Sequence, residues 1–358
     1  MTALGVGDAQ VTLQLERLIG WRGADVFLSL LDTHGGSPSA QIGDLQGVSN
    51  LEAPAALRLE EAWLQQNVFA NRLSLLVGRY DLNAEFYHLQ SAMLFENSSF
   101  GIGPEFAQSG TGGPSIFPNT AVGTRSAFKP SPNAVLRVGV LDGAPVGWFD
   151  RGPLIFAPGA GALLVGEVAL LSRPDNAGEP RRRRFHIGRG SRRPYAAKVA
   201  LGAWYYTAQL PDLADTLPSG APVRHRGSSG VYLIADQTLR SASDSSSGPL
   251  TAFVQLGLGD GRVNQVDRYL GIGLTRSAPF FGRSQDELGL AMAAARNGSH
   301  YVRANAATAS ETAVELTYLA QLFTWMAVQP DLQYVIHPGG TSGRSNATVF
   351  GLTIGLSH

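Results

Sequence analysis

Apolar and polar residues alternate with period two along most of the chain. In TAVELTYLAQLF (312–323), Val314, Leu316, Tyr318, Ala320 and Leu322 share one side of an extended backbone, while Glu315, Thr317 and Gln321 fall mostly on the other. The same pattern predicts fifteen strands, at 9–18, 24–32, 56–67, 72–79, 121–129, 134–142, 161–171, 196–207, 230–239, 250–259, 267–275, 287–296, 312–323, 326–336 and 347–356. Most are near the ~9–11 residues that a tilted membrane-spanning strand needs. No set of helices is available to cover their apolar faces.

The links between these strands alternate in length. Short ones fall at 19–23, 70–71, 130–133 and 324–325, and long ones at 33–55, 80–120, 143–160, 208–229, 297–311 and 337–346. Short turns at one end and long loops at the other mark an antiparallel transmembrane β-barrel. Two links depart from the rule: 172–195 is long where a turn is due, and 260–266 is short where a loop is due. A soluble propeller would repeat at roughly 40–50 residues, and no such self-similarity is found. Strands of this length and number are unusual in a sandwich.

One link stands apart. In 80–120, Phe86, Tyr87, Leu89, Met93, Leu94 and Phe95 have a spacing near 3.6 and predict a short helix. In a wide barrel such a segment either folds inward and narrows the lumen or packs as a lid outside the rim. The chain is thus read as one domain, 1–358, with an inward-folded segment at 80–120.

Composition agrees with a β-rich exported chain. Charged residues make up 16% of the 358, and glycine alone supplies 43. Net charge is zero, which argues against nucleic-acid partners. Only Lys129 and Lys198 are lysines, so 28 − 2 = 26 of the basic residues are arginines. There is no cysteine, hence no disulfide framework or thiolate metal site. No run of 18 apolar residues occurs, nor a basic and then apolar leader at Met1.

Enzyme signatures are lacking. The chain has no G-x-S-x-G elbow, and its histidines form no zinc-binding pair. Gly257-Leu258-Gly259-Asp260-Gly261 lacks the strand–turn–helix setting of a nucleotide loop. Asp81–Glu85 has calcium-like spacing without the glycine that such a loop requires. No cofactor, metal or catalytic group is predicted.

The runs GDLQGVSNLEAP (43–54), RLEEAWLQQ (58–66), LSLLVGRYDLNAEFY (73–87), LFENSSFGIGP (94–104) and SIFPNTAVGTR (115–125) resemble the carbohydrate-selective porins of Gram-negative outer membranes, the OprB type. GAWYYT (202–207), SGVYLIADQ (229–237) and the segment around Arg283 and Asp286 extend the resemblance over nearly the whole chain. It implies a sixteen-stranded barrel conducting sugars. Fifteen strands are visible, so one strand and the signal peptide are expected to precede this chain, or residues 3–8 to supply part of that strand. Such barrels commonly end in Phe, whereas this chain ends in His358, which bears on recognition by the barrel assembly machinery. The arginine-rich stretch 181–193 reads as a solvated basic loop.

The resemblance also fixes which strand faces are lumenal. It places Glu61 and Trp63 in the lumen with Ala62 and Leu64 toward lipid. Glu60 then falls on the lipid face, where it sits near an interface or breaks the alternation. Arg125 and Arg137 are lumenal likewise. Arg79, Asp81, Asn83 and Glu85, with Asn97, are expected to form a constriction with Glu61 and Arg125, either as hydrogen-bond partners for sugar hydroxyls or as salt bridges that pin the segment to the wall. Trp63 and Trp204 are the candidate platforms for sugar ring faces, with packing in the lumen an equal reading of Trp204. Trp21, Phe69, Tyr205, Phe323 and Trp325 are candidate interfacial aromatics. The expected surroundings are small glucose-like sugars, outer-membrane lipid and lipopolysaccharide. A plugged binding or adhesion barrel and a soluble, secreted carbohydrate-binding protein are the competing readings.

Overall fold

The computed structural model describes residues 1–145, 159–172, 195–240, 248–277, 279–280, 283, 285–305, 307–341 and 343–357. The stretch 181–193 and His358 lie outside them. Fifteen strands form one antiparallel sheet: β1 Leu4–Gln14, β2 Ala24–Gly35, β3 Ala56–Val68, β4 Leu73–Tyr80, β5 Ala121–Ser131, β6 Ala134–Asp142, β7 Ala162–Leu171, β8 Ala197–Thr216, β9 Pro222–Arg240, β10 Leu250–Gly259, β11 Val266–Ser277, β12 Glu287–Asn297, β13 Ser310–Phe323, β14 Met326–Ile336 and β15 Ala347–Leu356. Each pairs with the next in chain order, and β1 and β15 are not paired with each other. Among the described residues no helix is long and apolar enough to cross a membrane.

Alternation is carried through into exposure. On β8 the side chains from Lys198 to Asp212 are buried at every second position, and those between are exposed. The exposed set around the sheet is apolar, including Val138, Leu201, Leu352 and Ile354. Lipid covers this face, since backbone groups are satisfied by neighbouring strands and only the side chains must suit hydrocarbon. Trp21, Phe69, Phe323 and Trp325 are exposed at the short-turn end, the last two stacked 5.4 Å apart. Tyr205 is exposed nearer the loop end.

The structure corrects four expectations. The first strand is Leu4–Gln14, not 9–18; Leu15–Ile19 instead turn into a short helix closed by Gly20 at φ 75°. Residues 4–8 pair with Leu31–Gly35 of β2, so they belong to β1 and not to a strand before it. The link 208–229 is not a long loop. There β8 and β9 continue to Thr216 and Pro222 as a hairpin, whose alternation is masked in sequence by prolines and charges. Its partner is the short helix Ser299–Asn305: His300 Nδ1 and His225 Nε2 meet the two oxygens of Asp212 at 2.8 and 2.7 Å, and Arg303 pairs with Asp215 at 2.9 Å.

The fourth correction concerns 80–120. Its predicted helix is replaced by 3₁₀ turns at Leu82–Ala84, Ala92–Leu94 and Ser98–Phe100, and one α-turn at Pro104–Ala107. Tyr87 sits at φ 55°, which no helix interior permits.

Glu60 breaks the alternation. The register between β2 and β3 passes from Ser29↔Glu61 to Leu30↔Leu59, leaving Glu60 as the extra residue of a β-bulge. Arg58 and Glu60 before the bulge, and Glu61, Trp63 and Gln65 after it, are all buried. One added residue resets the face of the strand and spares Glu60 a place in lipid.

Placing a charge on the lipid face tests this assignment. Val138→Arg, at mid-strand on β6, should lower stability in refolding from urea into vesicles by about 2–4 kcal/mol, and Thr348→Arg, at a strand end, by about 0–1 kcal/mol.

Candidate functional site

Residues 81–120 lie against the inward face of the sheet with little regular structure, so their backbone polar groups need partners from elsewhere. The wall supplies them. Glu167 of β7 accepts from the Tyr87 N–H at 3.0 Å, and Asp236 of β9 from the Ser91 N–H at 3.1 Å. Glu315 of β13 accepts two, from Glu96 at 2.7 Å and Asn97 at 2.9 Å. Wall donors take the carbonyls: Lys198 Nζ reaches His88 O at 2.7 Å, Gln329 Leu94 O at 2.7 Å, Tyr269 Ser99 O at 2.8 Å and Gln255 Phe100 O at 2.9 Å. A second segment is held in the same way. Glu311 accepts from the N–H groups of Leu45, Gln46 and Gly339 at 2.6–3.0 Å, joining two loops at the rim.

Apolar packing complements these bonds. Phe106 stacks on Trp204 at 5.1 Å with planes 4° apart, and Tyr87 lies on Tyr232 at 4.4 Å. Phe95 and Phe100 meet each other and Phe253 of β10. These rings belong to one buried cluster spanning segment and wall.

Among the predicted residues, Glu85 contacts Arg125 and Glu61 contacts Trp63. Arg125 Nε contacts Glu85 Oε2 at 2.6 Å, and its other nitrogens reach Ser74 Oγ at 2.8 Å and Gln65 Oε1 at 2.9 Å. Tyr80 donates to the same Glu85 oxygen at 2.9 Å. Trp63 Nε1 donates to Glu61 Oε2 at 2.8 Å, and its ring stacks on Phe27 at 5.0 Å.

The other predicted residues make contacts of their own. Arg79 is in register with Ala62 and Val122, the outward set, yet is buried with Nε donating to Thr120 Oγ1 at 2.9 Å; Thr120 in turn bonds the carbonyl of the bulged Glu60. Asp81 caps the first 3₁₀ turn through the Asn83 N–H, while Asn83 Nδ2 ties Phe86 O and Gly101 O together. Asn97 bonds Gln333 Oε1 at 3.1 Å. Arg137 pairs with Glu167 at 3.2 Å, on the strand next to that of Arg125. None of these ten residues is more than 8% exposed, so each is shaped first as an anchor.

Sequence reasoning missed the wall carboxylates Glu167, Asp236, Glu311 and Glu315. Their signal was present, since each occupies an inward position of its strand where an unpaired acid is costly. On the segment itself, burial and the nearby Asp331 carboxylate raise Glu96 to about 7.

Residues 1–357 match the model of the carbohydrate-selective porin, OprB family. Porin B of Pseudomonas aeruginosa is 25% identical over 382 aligned positions, which cover 96% of this chain and 79% of that protein. The high-pH structure of Pseudomonas putida OprB superposes with a TM-score of 0.83 at 22% identity, over 99% of this chain and 88% of that one. An anion-selective porin from Comamonas acidovorans gives 0.54 at 12% identity, over 98% and 88%. The last two likenesses are of fold.

Removing the double acceptor tests the anchoring. Glu315→Ala leaves two buried N–H groups without a partner and should weaken seating of the segment by about 2–4 kcal/mol. Protease cleavage within 88–100 should accelerate accordingly, while cleavage in exposed turns should keep its wild-type rate.

Proposed function

Because the chain belongs to the carbohydrate-selective porin (OprB) family, we propose that it passes monosaccharides and similar small, glucose-like sugars by passive diffusion through a lumen narrowed by the 80–120 segment. Membership makes it an outer-membrane β-barrel porin for sugars in a Gram-negative bacterium, a channel family. What carries the finer reading is the way the segment is held. Its path is anchored by wall carboxylates and amides from β7 to β14, so it has a fixed shape inside the sheet.

In this reading Glu85 and Arg125 set where the segment enters, and Glu61 with Trp63 shapes the adjoining wall. Arg79, Asp81, Asn83 and Asn97 hold its turns, Arg137 orients Glu167, and Trp204 seats Phe106. Arg125 with Glu85 and Arg137 with Glu167 pair acid with base along the path, and such donor and acceptor groups suit a hydroxyl-rich solute. The apolar outer face is proposed to meet lipid and, at the loop end, lipopolysaccharide, and the barrel assembly machinery to insert the chain.

The deep burial of the ten residues favours one competitor, in which the segment plugs the lumen and the barrel serves binding or adhesion. Solute flux separates them. Proteoliposomes should take up glucose saturably and at least about ten-fold faster than a charged solute of similar size. Arg125→Ala should reduce that ratio. A folded barrel that passes no sugar would leave the plugged reading.

A further inference from the structure

Beneath the one-turn helix Pro104–Ala107 lies a carboxyl group that nothing balances. Glu105 is fully buried, and neither Oε atom has a hydrogen-bond partner; the Tyr87 hydroxyl close to it has none either. The side chain enters the wall at Gly257 of β10. A Cβ at Gly257 would collide with Oε1, and one at Gly103 with Oε2 and the Tyr87 hydroxyl. Two glycines therefore keep the room that this carboxyl occupies.

The titratable groups facing it are phenols: Tyr87 on the segment and Tyr269 on β11, with Tyr232 of β9 behind Tyr87. β10 presents only Gly257 there. Among the described residues no cation acts on it. The wall carboxylates of the site, by contrast, each accept at least one N–H from a seated segment. An ionised carboxylate without such partners in a closed apolar place is far costlier than a neutral carboxyl.

We propose that Glu105 is a positioning residue that seats the 80–120 segment only in its neutral form, so that the width of the channel is linked to ambient pH. The inference rests on the reading above, in which that segment narrows the pore. Burial, the largest influence, raises the Glu105 carboxyl to about 7, opposed weakly by its own backbone N–H and the Tyr87 hydroxyl, which lie near it without forming hydrogen bonds of good geometry. Released into water, the group returns to its ordinary value of 4.5. Seating therefore takes up a proton between these values. This contribution is complete below the window and is lost as pH rises through it, with a ceiling of about 300-fold on the ratio of seated to released segment. Glu96, facing Glu315 and Asp331 and also raised to about 7, adds a second group of the same sign.

Single-channel recording of the full chain in planar bilayers, from about pH 5 to about pH 8, tests the link. The wild-type ratio of narrow to wide dwell times should fall at least about ten-fold over that range. Glu105→Gln, neutral at every pH, should remove at least about three-fold of that fall, Glu96→Gln should keep the part that Glu105 carries, and the double variant should hold the ratio within about three-fold of the acid value. A Glu105→Gln channel that tracks the wild type overturns the inference, as does complete loss of pH dependence in Glu96→Gln. If Glu105→Gln does not insert, infrared titration of the wild type decides. A protonated carboxyl band that disappears as pH rises through about 7 supports the inference, and its absence at about pH 6 overturns it. A barrel that inserts but passes no current at any pH overturns the pore reading together with this inference. Current with a pH-independent ratio overturns this inference alone.

Discussion

An irregular segment inside a sheet must find a partner for every buried N–H and C=O, and here side chains of the wall provide them. Glu167, Asp236 and Glu315 accept amides, while Lys198, Tyr269, Gln255 and Gln329 donate to carbonyls. Without them the segment would have to fold on itself, and its 3₁₀ turns are too short for that. The polar face of the sheet in turn needs a cover, because buried carboxylates are stable only where donors reach them. Segment and wall are thus each other's solvent. The aromatic cluster around Phe106, Trp204 and Tyr232 adds apolar burial to an arrangement whose path the hydrogen bonds have already set.

Much of the fold was legible because a strand's period is two and lipid enforces it on one side. All fifteen strands were found, and four of them (134–142, 250–259, 326–336 and 347–356) coincide with the observed limits. The failures share a cause. Past Thr207 the hairpin of β8 and β9 continues, but prolines and charges among its residues interrupt the apolar pattern on its outward face. At Glu60 the pattern breaks inside the membrane, where a bulge absorbs one residue; the sequence exposed that break as a carboxylate on the wrong face, although not its remedy.

The site was less legible. The Glu85–Arg125 pair and the Glu61–Trp63 bond join residues singled out from the sequence. Arg137, Asn97 and Trp204, read as lining the lumen, meet separate partners in Glu167, Gln333 and Phe106. Alternation tells which face a residue occupies but not how far around the sheet it lies. The conformation of 80–120 was hidden for another reason. Helical spacing of its aromatics reflects contact with a curved wall, and amides bound to Glu315 and Glu167 cannot close helical turns.

The wall binds main-chain atoms of the segment at Tyr87, His88, Ser91, Leu94, Glu96, Asn97, Ser99 and Phe100. Every residue except proline brings the same N–H, and every residue brings the same C=O. Wherever the side chain is not itself packed, its identity is therefore disengaged from the route the chain takes. A lineage can exchange such side chains one at a time, moving from one solute preference to another, with no need to rebuild the scaffold that presents them.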